Sequence, residues 1–114
     1  MFDLEQNRAS EAMRFFETGA KEGQKSDSEL KNKIKELPSL IQKNGLLITL
    51  LHLDEKKFDQ LWINLVAHLS PGNDANQFVT SLCEKNAVEL IGLTEKAKAY
   101  VGWLKRIGAV KLAD

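Results

Sequence analysis

The chain has 114 residues, of which 43% are hydrophobic and 28% are charged. These values are typical of a globular protein, so we expect residues 1–114 to form a single domain and exclude disorder along the whole chain. Sixteen basic and sixteen acidic residues give a formal net charge of zero, which removes any argument for nucleic-acid binding from total charge alone.

Cysteine usage and the character of the first residues favour a cytoplasmic protein. Cys83 is the only cysteine, so the chain cannot form an internal disulfide. Asp3 and Glu5 lie where a secretory signal would carry basic residues. The longest apolar run, residues 46–51, is far shorter than the roughly 20 residues that a membrane-spanning helix needs.

The charge is unevenly distributed along the chain. Residues 30–43 hold four basic residues and one acidic residue, and residues 94–114 hold five basic and two acidic residues. The segments before and between them are net acidic. Two basic segments therefore remain as candidate contacts for an anionic partner.

The chain is expected to be helical, because Leu, Lys, Glu and Ala dominate its composition. Apolar residues at helical spacing predict a first helix over residues 3–22. After a loop, Ser26 and Glu29 form a capping box that starts a second helix. The apolar face of this second helix consists of Leu30, Ile34, Leu37 and Ile41.

Residues 37–46 combine a proline, an Asn-Gly step and the start of a long apolar run. Pro38 lacks a backbone donor, so it predicts either a kink or the first turn of a new helix, and we adopt the second interpretation. Asn44 and Gly45 tolerate left-handed geometry and predict a stop or a bend. Residues 46–53 are apolar nearly all round, so we expect a central buried helix there.

The next helix has the most regular apolar stripe in the chain. Asp54 or a neighbour is expected to cap it. A loop at residues 70–74 separates it from a further helix over about residues 75–85. The stripe consists of Phe58, Leu61, Trp62, Leu65, Val66 and Leu69.

Residues 86–93 are ambiguous between a short helix and an irregular link. Thr94 is expected to cap a last helix that ends near Ile107, followed by a fraying tail. The predicted fold is therefore all-α, a compact single-domain bundle of about six helices.

Patterns for catalysis and metal binding are weak. His52 and His68 lie near predicted helix C-termini, where capping or surface roles are typical. Cys83 is expected to be a small packed residue, and a Cys-His nucleophile pair is left open without positive support. The carboxylates lie mostly on predicted exposed faces. We therefore predict no catalytic residue, no metal site and no cofactor, and a small hydrolase is a weak alternative.

The C-terminal helix carries the strongest candidate binding surface. Lys98, Gly102 and Lys105 lie opposite its apolar face, with Arg106 at the edge, when residues are placed about 100° apart. Such cations can hold a phosphate chain, but they can also simply complement the helix dipole. Trp103 lies at the margin of the apolar face, so we expect it to contact a partner protein.

Three groups of residues occur in an order that points to a family. The chain resembles the small subunit of the type III-B CRISPR effector complex, the Cmr small-subunit family. The residues that carry the resemblance are Gln6-x-Arg8-Ala9-x-x-Ala12, Leu37-Pro38-x-Leu40-Ile41-x-Lys43-Asn44-Gly45-Leu46, and Thr94-Glu95 followed by Trp103-Leu104-Lys105-Arg106.

The resemblance implies a helical, non-catalytic subunit of a ribonucleoprotein that acts in antiviral defence. Copies of the chain would stack in a row beside the backbone and large subunits, along the guide RNA and target RNA, and other subunits would cleave. The RNA-binding residues implied are Lys43, Lys105 and Arg106, with Arg8. Helix geometry adds Lys98.

Two other functions remain as alternatives to an RNA-contacting subunit. A helical protein-protein interaction or regulatory module would need no RNA contact. A helix-turn-helix DNA-binding protein is less favoured, because no clear turn joins two short helices with a polar recognition face.

Overall fold

The computed structural model describes residues 4–19, 25–72 and 74–112. These residues form five α-helices and no strand, which confirms the all-α prediction and is close to the predicted number of helices. No helix in this part of the chain is long and apolar enough to cross a membrane. The helices are α1 (Leu4–Arg14), which continues into a π-helical segment (Phe15–Gly19), α2 (Asp27–Glu55), α3 (Asp59–Leu69), α4 (Ala75–Leu82) and α5 (Ala87–Lys111).

Helix α2 is divided into two arms by a sharp bend at Gly45. Gly45 has φ 84° and ψ 168°, a conformation that is essentially restricted to glycine. The first arm covers residues 27–44 and the second covers residues 46–55. The arms fold back on each other, since Lys33 Nζ in the first lies 3.1 Å from His52 Nε2 in the second. The predicted bend is therefore confirmed.

Pro38 does not start a helix, so that interpretation is wrong. Ser26 caps α2, and its hydroxyl accepts a hydrogen bond from the backbone N–H of Glu29 at 3.2 Å. The helix then continues through Pro38 as far as the bend, and Gly45 is the one residue inside α2 with non-helical angles. Packing of the arm compensates for the missing hydrogen bond, because its apolar face is fully buried on both sides of the proline.

Helix α5 is the centre of the fold, because it contacts α1, α2 and α3. The stripes predicted for the first arm of α2, for α3 and for α5 all face this core. The most deeply buried side chains include Ile34, Leu37, Ile41, Leu61, Leu65, Val66, Tyr100, Val101 and Leu104.

The second arm of α2 is not the central buried helix that its composition predicts. Leu46, Leu50 and Leu53 are buried, but Ile48 and Leu51 are 55% and 49% exposed. The arm packs against the core on one side only, since the bend places it at the surface of the fold. Its apolar character therefore leaves side chains in contact with solvent.

Two predicted helix starts are also wrong. Asp54 belongs to α2, and α3 follows Phe58, which makes no side-chain cap. Thr94 lies inside α5, which begins earlier because Asn86 Oδ1 accepts from the backbone N–H of Glu89 at 2.9 Å. The ambiguous residues 86–93 are thus the cap and first turns of α5.

The ends of other elements differ less from prediction. Helix α4 starts after Asp74, whose carboxylate caps it, and ends at Leu82. Helix α5 runs to Lys111, and the buried Leu112 continues its hydrogen bonding, so fraying does not begin at Ile107. The predictions for residues 1–3, 20–24, 73 and 113–114 fall outside the described residues.

We expect Gly45→Ala to destabilise the fold by about 1–3 kcal/mol, because a side chain strongly disfavours this backbone conformation. A Cβ atom at Gly45 would meet nothing within 4 Å, so the cost would come from the backbone alone. Chemical denaturation followed by circular dichroism would measure it.

Gly92→Ala is the matched control, since Gly92 lies in α5 and a Cβ atom there also meets nothing within 4 Å. Alanine is favoured over glycine in a helix, so this variant should be as stable as the native chain or more so. Equal stability of the two alanine variants would contradict the strain argument.

Candidate nucleic-acid interface

The start of α1 meets the C-terminal half of α5 through a polar cluster. Glu5 Oε1 accepts from Arg8 Nη1 at 2.5 Å, and Glu5 Oε2 accepts from Trp103 Nε1 at 2.6 Å. The guanidinium of Arg106 lies over the indole ring of Trp103, 5.1 Å from the ring centroid. These four residues, Glu5, Arg8, Trp103 and Arg106, form what we call the α1–α5 cluster.

Arg8 is the buried member of the α1–α5 cluster. The residue is only 8% exposed, because it lies between α1 and α5 rather than on an open face. Its Nη1 atom is paired with Glu5, but its Nε atom is buried without a hydrogen-bond partner among the described residues. A buried donor without an acceptor is unfavourable, so the guanidinium retains unused hydrogen-bonding capacity.

Glu5 is an exposed member of the α1–α5 cluster, with 58% of its side chain accessible. The hydrogen bond from Trp103 lowers the pKa of Glu5, and the hydrogen bond from Arg8 lowers it further. The positive charge of Arg106 acts in the same direction. Trp103, Arg8 and Arg106 therefore stabilise the ionised form of the Glu5 carboxylate, and the same three groups would attract another anion.

A second basic group forms where the first arm of α2 packs on α5. Lys31 and Lys35 line a small crevice together with Lys105. Gly108 and Ala109 provide the rest of the α5 wall, and Ile34 completes the α2 wall. The two basic segments thus meet at one surface, although Lys35 and Lys105 are seventy positions apart in the chain. We call Lys31, Lys35 and Lys105 the α2–α5 crevice.

Lys98 and Lys43 lie outside these two groups. Lys98 Nζ is 3.7 Å from Glu95 Oε1, a surface pair one turn apart on α5. Lys43 is exposed near the end of the first arm, about 12 Å along the axis beyond Lys35. No ion pair to Lys43 occurs among residues 4–19, 25–72 and 74–112. The structure therefore brings together Arg8, Trp103 and Arg106, but not all five predicted RNA-binding residues.

The histidines are not the surface or capping residues that we predicted. The His68 side chain is 6% exposed, its Nδ1 atom pairs with Glu11, and its ring stacks on Tyr100 with centroids 4.1 Å apart. His52 is half-buried against Lys33. Position near a helix C-terminus suggested capping, but His52 contacts the first arm of α2, and His68 contacts α1 and α5.

Glu11 and His68 line a cleft of about 370 Å³ between α1 and α3. The hydroxyl of Tyr100, whose ring stacks on His68, donates to Asn64 Oδ1 at 2.7 Å. Burial, and then the charge of Glu11, raise the pKa of this hydroxyl far above its ordinary value. Tyr100 is therefore a poor nucleophile, and the four side chains act as a packed hydrogen-bonded group.

Cys83 is exposed, so the prediction that it packs in the core is wrong. It lies just after α4 ends, where the preceding Leu82 takes the buried position. Within the described ranges, no group of three or more His, Cys, Asp or Glu residues is arranged to hold a metal ion.

Comparison with known families identifies the chain. Residues 4–110 match the family described as CRISPR-associated protein (Cas_Cmr5). The chain belongs to this family. The resemblance predicted from the sequence motifs is confirmed, and the chain is a subunit of a CRISPR-associated effector complex. The comparison with curated proteins gives no significant match.

In this Cas_Cmr5 protein, two residues of the α2–α5 crevice were not among the predicted site residues. Lys31 and Lys35 were recognised only as part of a basic segment, because nothing local connects them to α5. Their spacing of one helical turn was a usable signal, since it places both on the same side of α2. Glu5 was missed because an exposed acid near the start of the chain carries no motif.

We expect Glu5 to titrate at a lower pH than an ordinary glutamate, because its neighbours favour the ionised form. A carboxylate with a lowered folded-state pKa stabilises the fold at pH values above its unfolded-state pKa. That contribution is lost as the pH falls through the folded-state pKa. The carboxyl ¹³C shift of Glu5, followed by NMR from neutral to acid pH, would measure the midpoint.

Trp103→Phe tests the cause of this shift, because it keeps an aromatic ring and removes the indole N–H. The Glu5 midpoint should rise towards its ordinary value in this variant, since Trp103 contributes most to the lowering. A midpoint that is the same in the native chain and the variant would contradict the assignment.

Proposed function

We propose that the chain is a non-catalytic, RNA-contacting subunit of a cytoplasmic type III-B CRISPR effector complex that acts in antiviral defence. In this role it stacks with copies of itself in a row, beside the backbone and large subunits. Family membership supports the assembly. The observation that carries RNA contact is the α2–α5 crevice, where Lys31, Lys35 and Lys105 meet although their segments are far apart in the chain.

The α2–α5 crevice and the α1–α5 cluster together form the basic surface, which fits a ligand that is a chain of phosphates. Lys105 is exposed on α5 and belongs to the α2–α5 crevice. Arg106, the next residue, belongs to the α1–α5 cluster. Cations on both sides of one helix can hold successive phosphates of a single strand. Such contacts position a strand without reading its sequence, which suits a complex in which a guide RNA supplies specificity. In this proposal, Lys98 and Lys43 make further phosphate contacts along α5 and α2.

The absence of catalysis is part of the proposal. The carboxylate-histidine pair Glu11–His68 would orient an imidazole, but the adjacent hydroxyl of Tyr100 has a strongly raised pKa. No activated nucleophile accompanies the pair in the described residues. In this proposal, other subunits carry out RNA cleavage.

A protein-protein interaction module without RNA contact is the second candidate function. The observation that favours it is the first part of α5, where Val88 and Ile91 are 79% and 63% exposed. Large apolar side chains in contact with solvent are typical of surfaces that bind another protein. Binding of the chain to single-stranded RNA, weakened by rising salt, would distinguish the two functions.

We expect Lys105→Ala with Arg106→Ala to weaken retention of target RNA by the assembled effector complex without unfolding the chain. The slope of log K against log salt is negative, and each lost contact to a single-stranded phosphate reduces its magnitude by about 0.7. The magnitude of the slope should therefore be smaller by about 1.4 in the double variant. Filter binding at several salt concentrations would measure the slope, and circular dichroism would check the fold.

Lys56→Ala with Lys85→Ala is the matched control for this experiment. It removes the same charge from the segments that precede α3 and α5. The control complex should keep the native slope. An unchanged slope in the Lys105 and Arg106 variant, with normal assembly, would refute the proposed RNA contact.

We expect Lys31→Ala with Lys35→Ala to reduce the salt slope as well, because both side chains line the same crevice as Lys105. The reduction should again be about 1.4 if each lysine contacts one phosphate. A native slope in this variant, alongside a reduced slope in the α5 variant, would place the RNA on α5 alone.

A further inference from the structure

The α1–α5 cluster has the composition of an anion-binding site. Two guanidinium groups and an indole N–H surround a single carboxylate, that of Glu5. Arginine and indole N–H groups are donors that favour oxyanions. The cluster therefore binds an anion already, and the anion comes from the chain itself.

Glu5 uses this site incompletely. One carboxylate oxygen accepts from Arg8 Nη1 and the other from Trp103 Nε1, so Arg8 makes a single contact rather than the paired contacts that its planar group allows. Arg8 Nε is left without an acceptor although the residue is only 8% exposed. Arg106 interacts with the carboxylate through charge alone.

The position of Glu5 allows its carboxylate to leave. Its side chain is 58% exposed, whereas the Arg8 side chain is 9% exposed. Rotation of the Glu5 side chain into solvent would uncover Arg8 and the indole N–H without moving a helix. Arg8 and Trp103 are held in place by the packing of α1 on α5, whereas the carboxylate of Glu5 can be replaced by another acceptor.

We propose that a backbone phosphate of RNA displaces the Glu5 carboxylate and binds to Arg8, Trp103 and Arg106. Glu5 is then an internal competitor that occupies the site when RNA is absent. This inference rests on the proposed function, because it adds a defined phosphate site and its competitor to the basic surface beside Lys105. The phosphodiester carries one negative charge on two non-bridging oxygens, as the carboxylate does, so it can replace Glu5 as the acceptor for Arg8 and Trp103.

The two tryptophans provide a direct test in the native chain. The indole N–H of Trp103 donates to Glu5, whereas that of Trp62 donates to Asp59 at 3.2 Å. Titration with a single-stranded RNA oligonucleotide should shift the indole N–H resonance of Trp103 in NMR spectra. The resonance of Trp62 should stay in place, because that residue is buried and lies outside the basic surface.

Glu5→Gln tests the competition. The variant keeps the shape of the side chain but weakens its hold on Arg8 and Trp103, since hydrogen bonds to a charged group are stronger than neutral ones. We expect it to bind the RNA oligonucleotide about fivefold more tightly than the native chain. Glu36→Gln is the matched control, because Glu36 pairs with Lys33 at the same spacing on another helix.

The outcomes separate this inference from the proposed function. RNA binding that leaves the Trp103 resonance unmoved, or equal gains from Glu5→Gln and Glu36→Gln, would overturn the inference and leave the proposed function standing. A Trp103 shift with inorganic phosphate but not with RNA would overturn it too, by identifying a site for free phosphate. An unchanged salt slope in the Lys105 and Arg106 variant, together with a Trp103 resonance that RNA does not move, would overturn the proposed function and the inference together.

Discussion

The chain reverses direction at Gly45, and the rest of the structure depends on that reversal. A residue with φ 84° and ψ 168° must be glycine in practice, because a side chain would strongly disfavour this backbone. The bend ends the first arm of α2 and folds the second arm beside it. The first arm is then free to lie on α5, with Ile34 and Leu37 buried and Lys31 and Lys35 at the edge of the contact.

The same packing explains how a chain with zero net charge can present basic surfaces. Many of its acids pair with nearby bases, as in Glu36 with Lys33 and Glu95 with Lys98. Such exposed pairs add little stability but cancel charge locally. Where the two basic segments meet, the cations outnumber the acids, so the balance of the whole chain does not describe this surface.

Polar groups also appear inside the fold, where the sequence predicted only apolar contacts. Tyr100 contributes a stacked ring and a hydroxyl to a group that joins α1, α3 and α5 through Glu11, His68 and Asn64. A buried polar group whose members are paired favours one arrangement of the helices over others. Periodicity identified Tyr100 as a core residue but could not show its partners, because they lie on other helices.

Local patterns predicted the helices and most of their buried faces. The helical spacing of apolar residues and the cap at Ser26 depend only on residues nearby in the chain. They failed at Pro38, Asp54 and Thr94, where a local signal for a helix boundary was outweighed by packing over a longer element. The motifs that named the family were likewise readable without a fold.

The sequence by itself determined the all-α class, the apolar faces, the bend and the family. Only the tertiary structure decided which polar side chains meet. Glu5 and Arg8 meet Trp103 and Arg106, and the lysines of α2 meet Lys105. The physical reason is that these contacts join residues far apart in the chain. Their positions depend on the angle at Gly45 and on how α1 and α2 pack against α5, which no local periodicity contains.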